Sequence, residues 1–173
     1  ISNKSFNHKV VGTITTNSGL EMKLRDMNID LYRSDVGDKN VYSMMKKIGA
    51  IIGGESSGHI INSQYSPTGD ALLIALIIIK ESLNKELRIS ELVDDLELLP
   101  VLNENIKTED LLNANESFLN DLTDEINSGN PEGRVIIRSS GTEPLIRISV
   151  ENKNEEVAGT LIEGIIKAIK DNG

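Results

Sequence analysis

Residues 10–54 read VVGTITTNSGLEMKLRDMNIDLYRSDVGDKNVYSMMKKIGAIIGG. Val10–Thr16 is apolar and β-branched, the composition of a strand. Asn17 and Ser18 offer side-chain acceptors for the free amides of a helix start. Leu20, Leu24 and Met27 then share one helical face. Ile29–Arg33 sets Ile, Leu and Arg against Asp and Tyr in strand-like alternation. Asp38 can cap a second helix that runs through Ile48 and stops at Gly49. Ala50–Ile52 is a short strand leading into Gly53-Gly54. Strand, helix, strand, helix, strand is the rhythm of an α/β layer with crossover connections.

Outward from this block, Ser66–Asp70 has turn chemistry. It precedes the longest apolar run, Ala71–Ile79, which predicts a buried helix through about Leu83, capped by Thr68 or Asp70. Nine apolar residues are too few to cross a bilayer, which takes about 20. Ser90-Glu91-Leu92 starts a short helix that ends before Pro100, the best domain boundary. Beyond it, Val101–Ile106 reads as a strand and Ala114–Ile126 as an amphipathic helix. Residues 129–133 form a turn, and Arg134–Arg138 and Leu145–Glu151 are two further strands. Glu155–Ile169 is a closing helix with Val157, Leu161, Ile165, Ile166 and Ile169 on one face. The second unit is therefore β-α-β-β-α, a two-layer α+β domain over residues 100–173, preceded by an α/β unit over 1–89 and a linker or short helix over 90–99.

The 173 residues carry 27 acidic and 18 basic side chains, a net charge of −9. That balance argues against nucleic acid as a partner. Residues 85–125 hold twelve acids and three bases, so the excess sits in one segment and the remainder is neutral. Charge runs of this kind are usually solvated faces. No cysteine is present, which excludes a disulfide framework, a thiolate-bound zinc and a thiol nucleophile in this chain. The first residues lack the charged-then-apolar form of a signal peptide. A cytoplasmic location is expected, with no membrane partner.

Two loops carry chemistry. Arg138-Ser139-Ser140-Gly141-Thr142-Glu143-Pro144, followed by Arg147, lies between two predicted strands. Its amides and hydroxyls can face one point, and guanidinium forks suit phosphate oxygens. By composition alone it is equally a hairpin turn with two surface arginines. Gly53-Gly54-Glu55-Ser56-Ser57-Gly58-His59 surrounds a carboxylate, two hydroxyls and an imidazole with glycines. Glu55 and Ser57 can bind vicinal sugar hydroxyls, and His59 can exchange a proton near neutral pH. A glycine-rich turn is the alternative. No G-x-G-x-x-G opens a helix after the strand, so it is no dinucleotide fingerprint. Asp35–Lys39 reads first as a turn and helix cap.

At these residues the chain resembles the α-D-phosphohexomutases. GGESSGHI resembles their sugar-specificity loop, GGE-x-SGH, and RSSGTEPLIR their phosphate loop, R-x-SGTEP-x-x-R, in family order. VVGTITTNSGLE, VGDKNV and PTGDA are similar to stretches of the bacterial phosphoglucosamine branch. There, Arg and Tyr stand where this chain has Lys39 and Asn40, and Gly where it has Ala71. The resemblance implies a truncated third α/β domain followed by the whole small fourth domain.

It also implies a reaction, the interconversion of 6-phospho and 1-phospho sugars, here glucosamine 6-phosphate and glucosamine 1-phosphate. That reaction runs through a phosphoserine and a bisphosphate intermediate, with Mg2+. Carried over, Arg138, Ser140, Gly141 and Thr142, with Arg147, would bind substrate phosphate. Glu55 and Ser57 would bind the sugar, and His59 would help deprotonate the attacking hydroxyl. No T-A-S-H-N-P-like serine segment and no D-G-D-x-D-R metal loop occur in the sequence. The Mg2+ ligands and nucleophile are then expected upstream, in N-terminal domains that are partners of this fragment, and the fragment alone is expected to be inactive. Phosphomannomutase or phosphoglucomutase activity, a non-catalytic sugar-phosphate-binding module, and a purely structural domain using the acidic segment are the other readings.

Overall fold

The computed structural model describes residues 6–107, 115–130, 133–140 and 143–172. The chain forms two compact units, Ile1–Leu98 and Leu99–Gly173.

The first unit is built from β1 (Lys9–Thr13), α1 (Ser18–Asp26), β2 (Asp30–Ser34), α2 (Asp38–Ile48), β3 (Ile52–Gly54), β4 (Ile60–Asn62) and α3 (Ala71–Lys85). The sheet order is β2-β1-β3-β4. β2 and β3 flank β1 in parallel, and β4 pairs antiparallel with β3. The α/β rhythm is as expected, with shifted ends. β1 stops three residues early because the Thr16 hydroxyl accepts from Thr13 N (2.9 Å) and closes a turn. Asn17 Oδ1 then accepts from Gly19 N (2.8 Å) and starts α1. Gly49 ends α2 in the left-handed conformation, φ 73°. β4 goes beyond the sequence reading; its three residues are too short a run to stand out.

α2 packs Val41 and Met45 onto Val11 and Ile61, all essentially excluded from water. Each such side chain contributes about 1.5–3 kcal/mol by burial. Gly53 makes the close approach possible. A Cβ there would sit 2.6 Å from Met45 Sδ and 2.7 Å from Val41 Cγ1. Near the same C-terminal ends of the strands, the half-buried Arg33 guanidinium donates to Thr13 O (3.2 Å), Thr16 O (2.6 Å) and Glu21 Oε2 (2.7 Å). One strand residue thus fixes the β1–α1 connection.

The expectation of a buried helix after residue 70 is overturned. α3 forms, capped by Asp70 Oδ1 on Leu73 N (2.9 Å). None of its residues is buried, and Leu72 and Leu83 are 72% and 73% exposed. Hydropathy favoured an interior, but no described element of this unit packs over its outer side. The expected helix at Ser90 is a single 3-10 turn, Ile89–Val93. Just beyond, Lys23 ion-pairs with Asp95 and holds its carboxyl below the usual carboxylate range, a tie that weakens as pH falls through that lowered value.

The second unit contains β5 (Val101–Lys107), α4 (Glu116–Ser128), β6 (Gly133–Ser139), β7 (Leu145–Asn152) and α5 (Glu155–Asn172). Its antiparallel sheet has the order β5-β7-β6. Val135 and Ile137 of β6 and Ile146, Ile148 and Val150 of β7 face Leu119 of α4 and Ile162, Ile165 and Ile169 of α5. This is the expected two-layer β-α-β-β-α arrangement. The buried stripe of α5 runs 158, 162, 165, 169 instead of starting at Val157, which is 42% exposed. Asn127 of α4 bonds both backbone groups of Val135, donating to its O (2.9 Å) and accepting from its N (2.7 Å). The described acids of 85–125 face solvent, apart from a half-buried Glu91.

Replacing Gly53 with Ala inserts a methyl into a filled contact. The expected cost is about 1–3 kcal/mol, read as a lower denaturant midpoint at unchanged slope. Met45→Ala added to Gly53→Ala should cost less than Met45→Ala in the parent, because the atom nearest the new methyl is then gone.

Candidate functional site

The register of the first unit brings the ends of three parallel strands to one edge: Thr13, Ser34 and Gly54. Open parallel sheets bind ligands at this edge, where consecutive connections leave toward opposite faces. Three connections meet here. Residues 14–17 follow β1, residues 35–37 follow β2, and residues 55–59 form the hairpin turn between β3 and β4.

The turn holding Glu55, Ser57 and His59 is built by its own backbone. Gly58 N donates to Glu55 O (3.0 Å) and Glu55 N to His59 O (3.0 Å). Ser56 to His59 are exposed and Glu55 is half-buried. Ser57 Oγ lies 3.1 Å from His59 Nδ1. When the hydroxyl donates, the imidazole carries its proton on Nε2 and the pair has a defined tautomer. The three sugar-loop residues expected from the sequence therefore stand in one turn.

Two further residues join them, Gly37 from the segment read as a turn and helix cap, and Thr15, which the sequence did not single out. Gly37 N donates to Glu55 Oε1 (2.8 Å), which ties the 35–37 connection to the carboxylate. Gly37 holds φ 118°, a conformation that disfavours any side chain, so the amide is aimed by glycine. Thr15 Oγ1 reaches Ser56 Oγ (3.4 Å) and Thr13 Oγ1 (2.9 Å), a run of three hydroxyls across the same edge. TITT and VGD contain these groups, but their convergence depends on strand order.

In the second unit, Arg138 lies next to the end of β6 and Arg147 lies within β7. They are direct cross-strand partners. Like charges placed opposite one another on a sheet destabilise it. Arg147 is partly compensated by Glu143 Oε2 (2.7 Å). Its Nε is nonetheless buried without a hydrogen-bond partner, and Arg138 pairs with no carboxylate among the described residues. Ser140 N donates to Leu145 O (2.8 Å), which closes the hairpin beside them. Two juxtaposed guanidinium groups with an unused N–H are suited to a multivalent anion. Gly141 and Thr142, also expected in this loop, lie outside the described residues.

Residues 2–98 match the family description phosphoglucomutase/phosphomannomutase, alpha/beta/alpha domain III, and residues 105–168 match the C-terminal domain of the same family. The chain belongs to this family. The phosphoglucosamine mutase of Dictyoglomus turgidum is 41% identical over 149 residues, covering 83% of this chain and 32% of that protein. The phosphoglucosamine mutase of Lachnospira eligens is 36% identical over 172 residues, covering 98% and 38%. The chain thus spans about a third of the length of these curated relatives. Among solved family structures, Aspergillus fumigatus N-acetylphosphoglucosamine mutase superposes with a TM-score of 0.77 at 18% identity, over 94% of this chain and 38% of that one. A second structure of the A. fumigatus enzyme, in complex with GlcNAc-6P and magnesium, gives 0.72 at 19%, over 94% and 41%. These likenesses establish the family fold.

Among the described residues, no group of three or more His, Asp and Glu side chains could hold a metal ion. No described helix is long and apolar enough to cross a membrane.

Arg138→Gln should relieve the cross-strand repulsion and raise the stability of the second unit by about 0.2–1 kcal/mol in phosphate-free buffer. It should also remove most of the stabilisation that added inorganic phosphate gives the parent. Thermal melts with and without phosphate read both. An unchanged phosphate response would show that the pair is not the anion contact.

Proposed function

We propose that the chain is the C-terminal portion of a phosphosugar mutase of the phosphoglucosamine type. In this reading it interconverts glucosamine 6-phosphate and glucosamine 1-phosphate through a phosphoserine and a bisphosphate intermediate. The observation that carries the reading is the 55–59 turn at the C-terminal strand edge. Its carboxylate, hydroxyl and imidazole are held by hydrogen bonds that leave their outer sides to solvent. Such a turn recognises a polyol.

Glu55 and Ser57 bind sugar hydroxyls. Glu55 keeps one carboxylate oxygen on Gly37, so its second oxygen is the one available to the ligand. His59 helps remove the proton of the attacking hydroxyl. Arg138, Arg147 and Ser140, with Gly141 and Thr142, grip the phosphate that does not react. The substrate must be accepted in two orientations, and one fixed phosphate grip serves both. Phosphoryl transfer of this kind rests on positioning and electrostatic stabilisation. The nucleophilic serine and the Mg2+ ligands belong, in this reading, to N-terminal domains of the longer protein. The fragment by itself does not turn over substrate, and the location is cytoplasmic.

The test is a steady-state assay of the longer polypeptide carrying this sequence, with glucosamine 6-phosphate, mannose 6-phosphate and glucose 6-phosphate compared. Preference for the amino sugar is expected. Glu55→Ala should lower kcat/KM by about 10–100-fold, the loss of a hydrogen bond to a charged group. His59→Gln should act mainly on kcat, by about 10²-fold or more. Preference for mannose or glucose phosphate would reassign the branch, and full activity of Glu55→Ala would remove the sugar-binding role. Turnover by the 173-residue chain alone would overturn its reading as an inactive portion.

A further inference from the structure

β5 lies inside the acidic segment 85–125, yet strand alternation sorts its charges. Ile146, Ile148 and Val150 of β7 face α4 and α5, so Arg147 and Ser149 point to the other side of the sheet. Direct cross-strand partners share a face. Asn103 is the partner of Ser149, Asn105 of Arg147 and Lys107 of Leu145. These three exposed residues of β5 therefore stand on the arginine side. Glu104, the partner of Ile148, is turned to the helix side. The one acid of the strand is thus kept off the face that carries the guanidinium groups.

Arg138, Arg147 and Asn105 form a single row across β6, β7 and β5. Lys107 is the diagonal neighbour of Arg147. Such neighbours are about 7–8 Å apart, a separation that the flexible four-carbon stem of lysine can span. All three strands bring these residues to the same end of the sheet, where β6 finishes at Ser139, β7 begins at Leu145 and β5 finishes at Lys107. Among the described residues, Glu143 offsets one of the cations through Arg147, and Glu151 pairs with Arg134 two rows away. Lys107 has no carboxylate at ion-pair distance among them.

We infer that β5 supplies a further side of the anion site: Asn105 donates a side-chain N–H, and Lys107 adds a third positive charge, to the phosphate held by Arg138 and Arg147. Neither residue belongs to the RSSGTEPLIR stretch; the order β5-β7-β6 brings them to it. The charges match. Arg138, Arg147 and Lys107 less the Glu143 carboxylate leave two positive charges, and a phosphate monoester carries close to two negative ones near neutral pH. The two guanidinium forks fix the direction of the phosphate oxygens, and the ammonium adds charge without demanding a fixed angle. The inference rests on the reading of Arg138 and Arg147 as a phosphate grip.

Binding of inorganic phosphate to the 173-residue chain is read from its thermal midpoint over a phosphate series, with ionic strength held constant by chloride. Lys107→Gln should raise the apparent Kd about threefold to tenfold. Lys107→Arg should restore it to within about twofold, because the residue contributes charge. Lys153→Gln removes an equal charge from an exposed position just past β7, at the far end of the sheet, and should leave Kd within about twofold of the parent. Asn105→Asp sets a carboxylate opposite Arg147. It should raise the midpoint without phosphate and weaken phosphate binding about tenfold or more. A variant that merely folds poorly would not melt higher. An unchanged phosphate response in Lys107→Gln or in Asn105→Asp, beside an impaired Arg138→Gln, would overturn the inference and leave the arginine grip standing. Equal losses in Lys107→Gln and Lys153→Gln would overturn it in the same way, because overall charge would then suffice. An unchanged response in Arg138→Gln, or no response in the parent, would overturn the inference together with the phosphate grip on which it rests.

Discussion

The arrangement at the working edge of the first unit depends on how closely α2 approaches β3. Gly53 has no Cβ, and Met45 and Val41 occupy the place where one would be. That contact seats β3 beside β1 and lets the chain turn directly into the 55–59 hairpin. It also brings the β2–α2 connection within reach, so that the Gly37 amide meets the Glu55 carboxylate. A side chain at position 53 would press on all of these together. Interiors pack like solids, and strain at one contact is passed to its neighbours.

The second unit is built on a different constraint. Its sheet buries one face under α4 and α5, while the other carries Arg138 and Arg147 side by side across the β6–β7 ladder. In the proposed reading, this repulsive pair becomes favourable when an anion sits between the guanidinium groups. A free energy that is unfavourable in the empty state and relieved by ligand is a direct contribution to affinity. The overall charge of −9 has no bearing on it, because the acids are gathered along residues 85–125 and these arginines lie outside that segment.

Much of this is legible in the residues. Period-two and period-3.6 patterns locate the elements around Val11, Val41, Ile137 and Ile165, and glycine with Asn or Asp marks their ends. The two loops are legible as motifs, and the family match agrees with the resemblance they carry. What is not legible depends on distance in space. Arg33 looks like an ordinary strand residue until its guanidinium is seen to hold the β1–α1 turn. Gly37 looks like a turn residue until its amide is seen on Glu55. The exposure of α3 escapes the sequence because hydropathy records that a side chain wants cover, and cannot say whether the cover comes from the same stretch of chain.

Asn127 has a consequence of another kind. β6 lies at the edge of its sheet, and an edge strand offers free amides and carbonyls to any passing chain. At Val135 both are already taken by one side-chain amide, which acts as a fragment of a neighbouring strand. At the opposite edge, β5 exposes Asn103, Glu104, Asn105 and Lys107. One edge is plugged and the other is polar and charged, so the small sheet is protected at both ends against growing into a fibre when the protein is crowded.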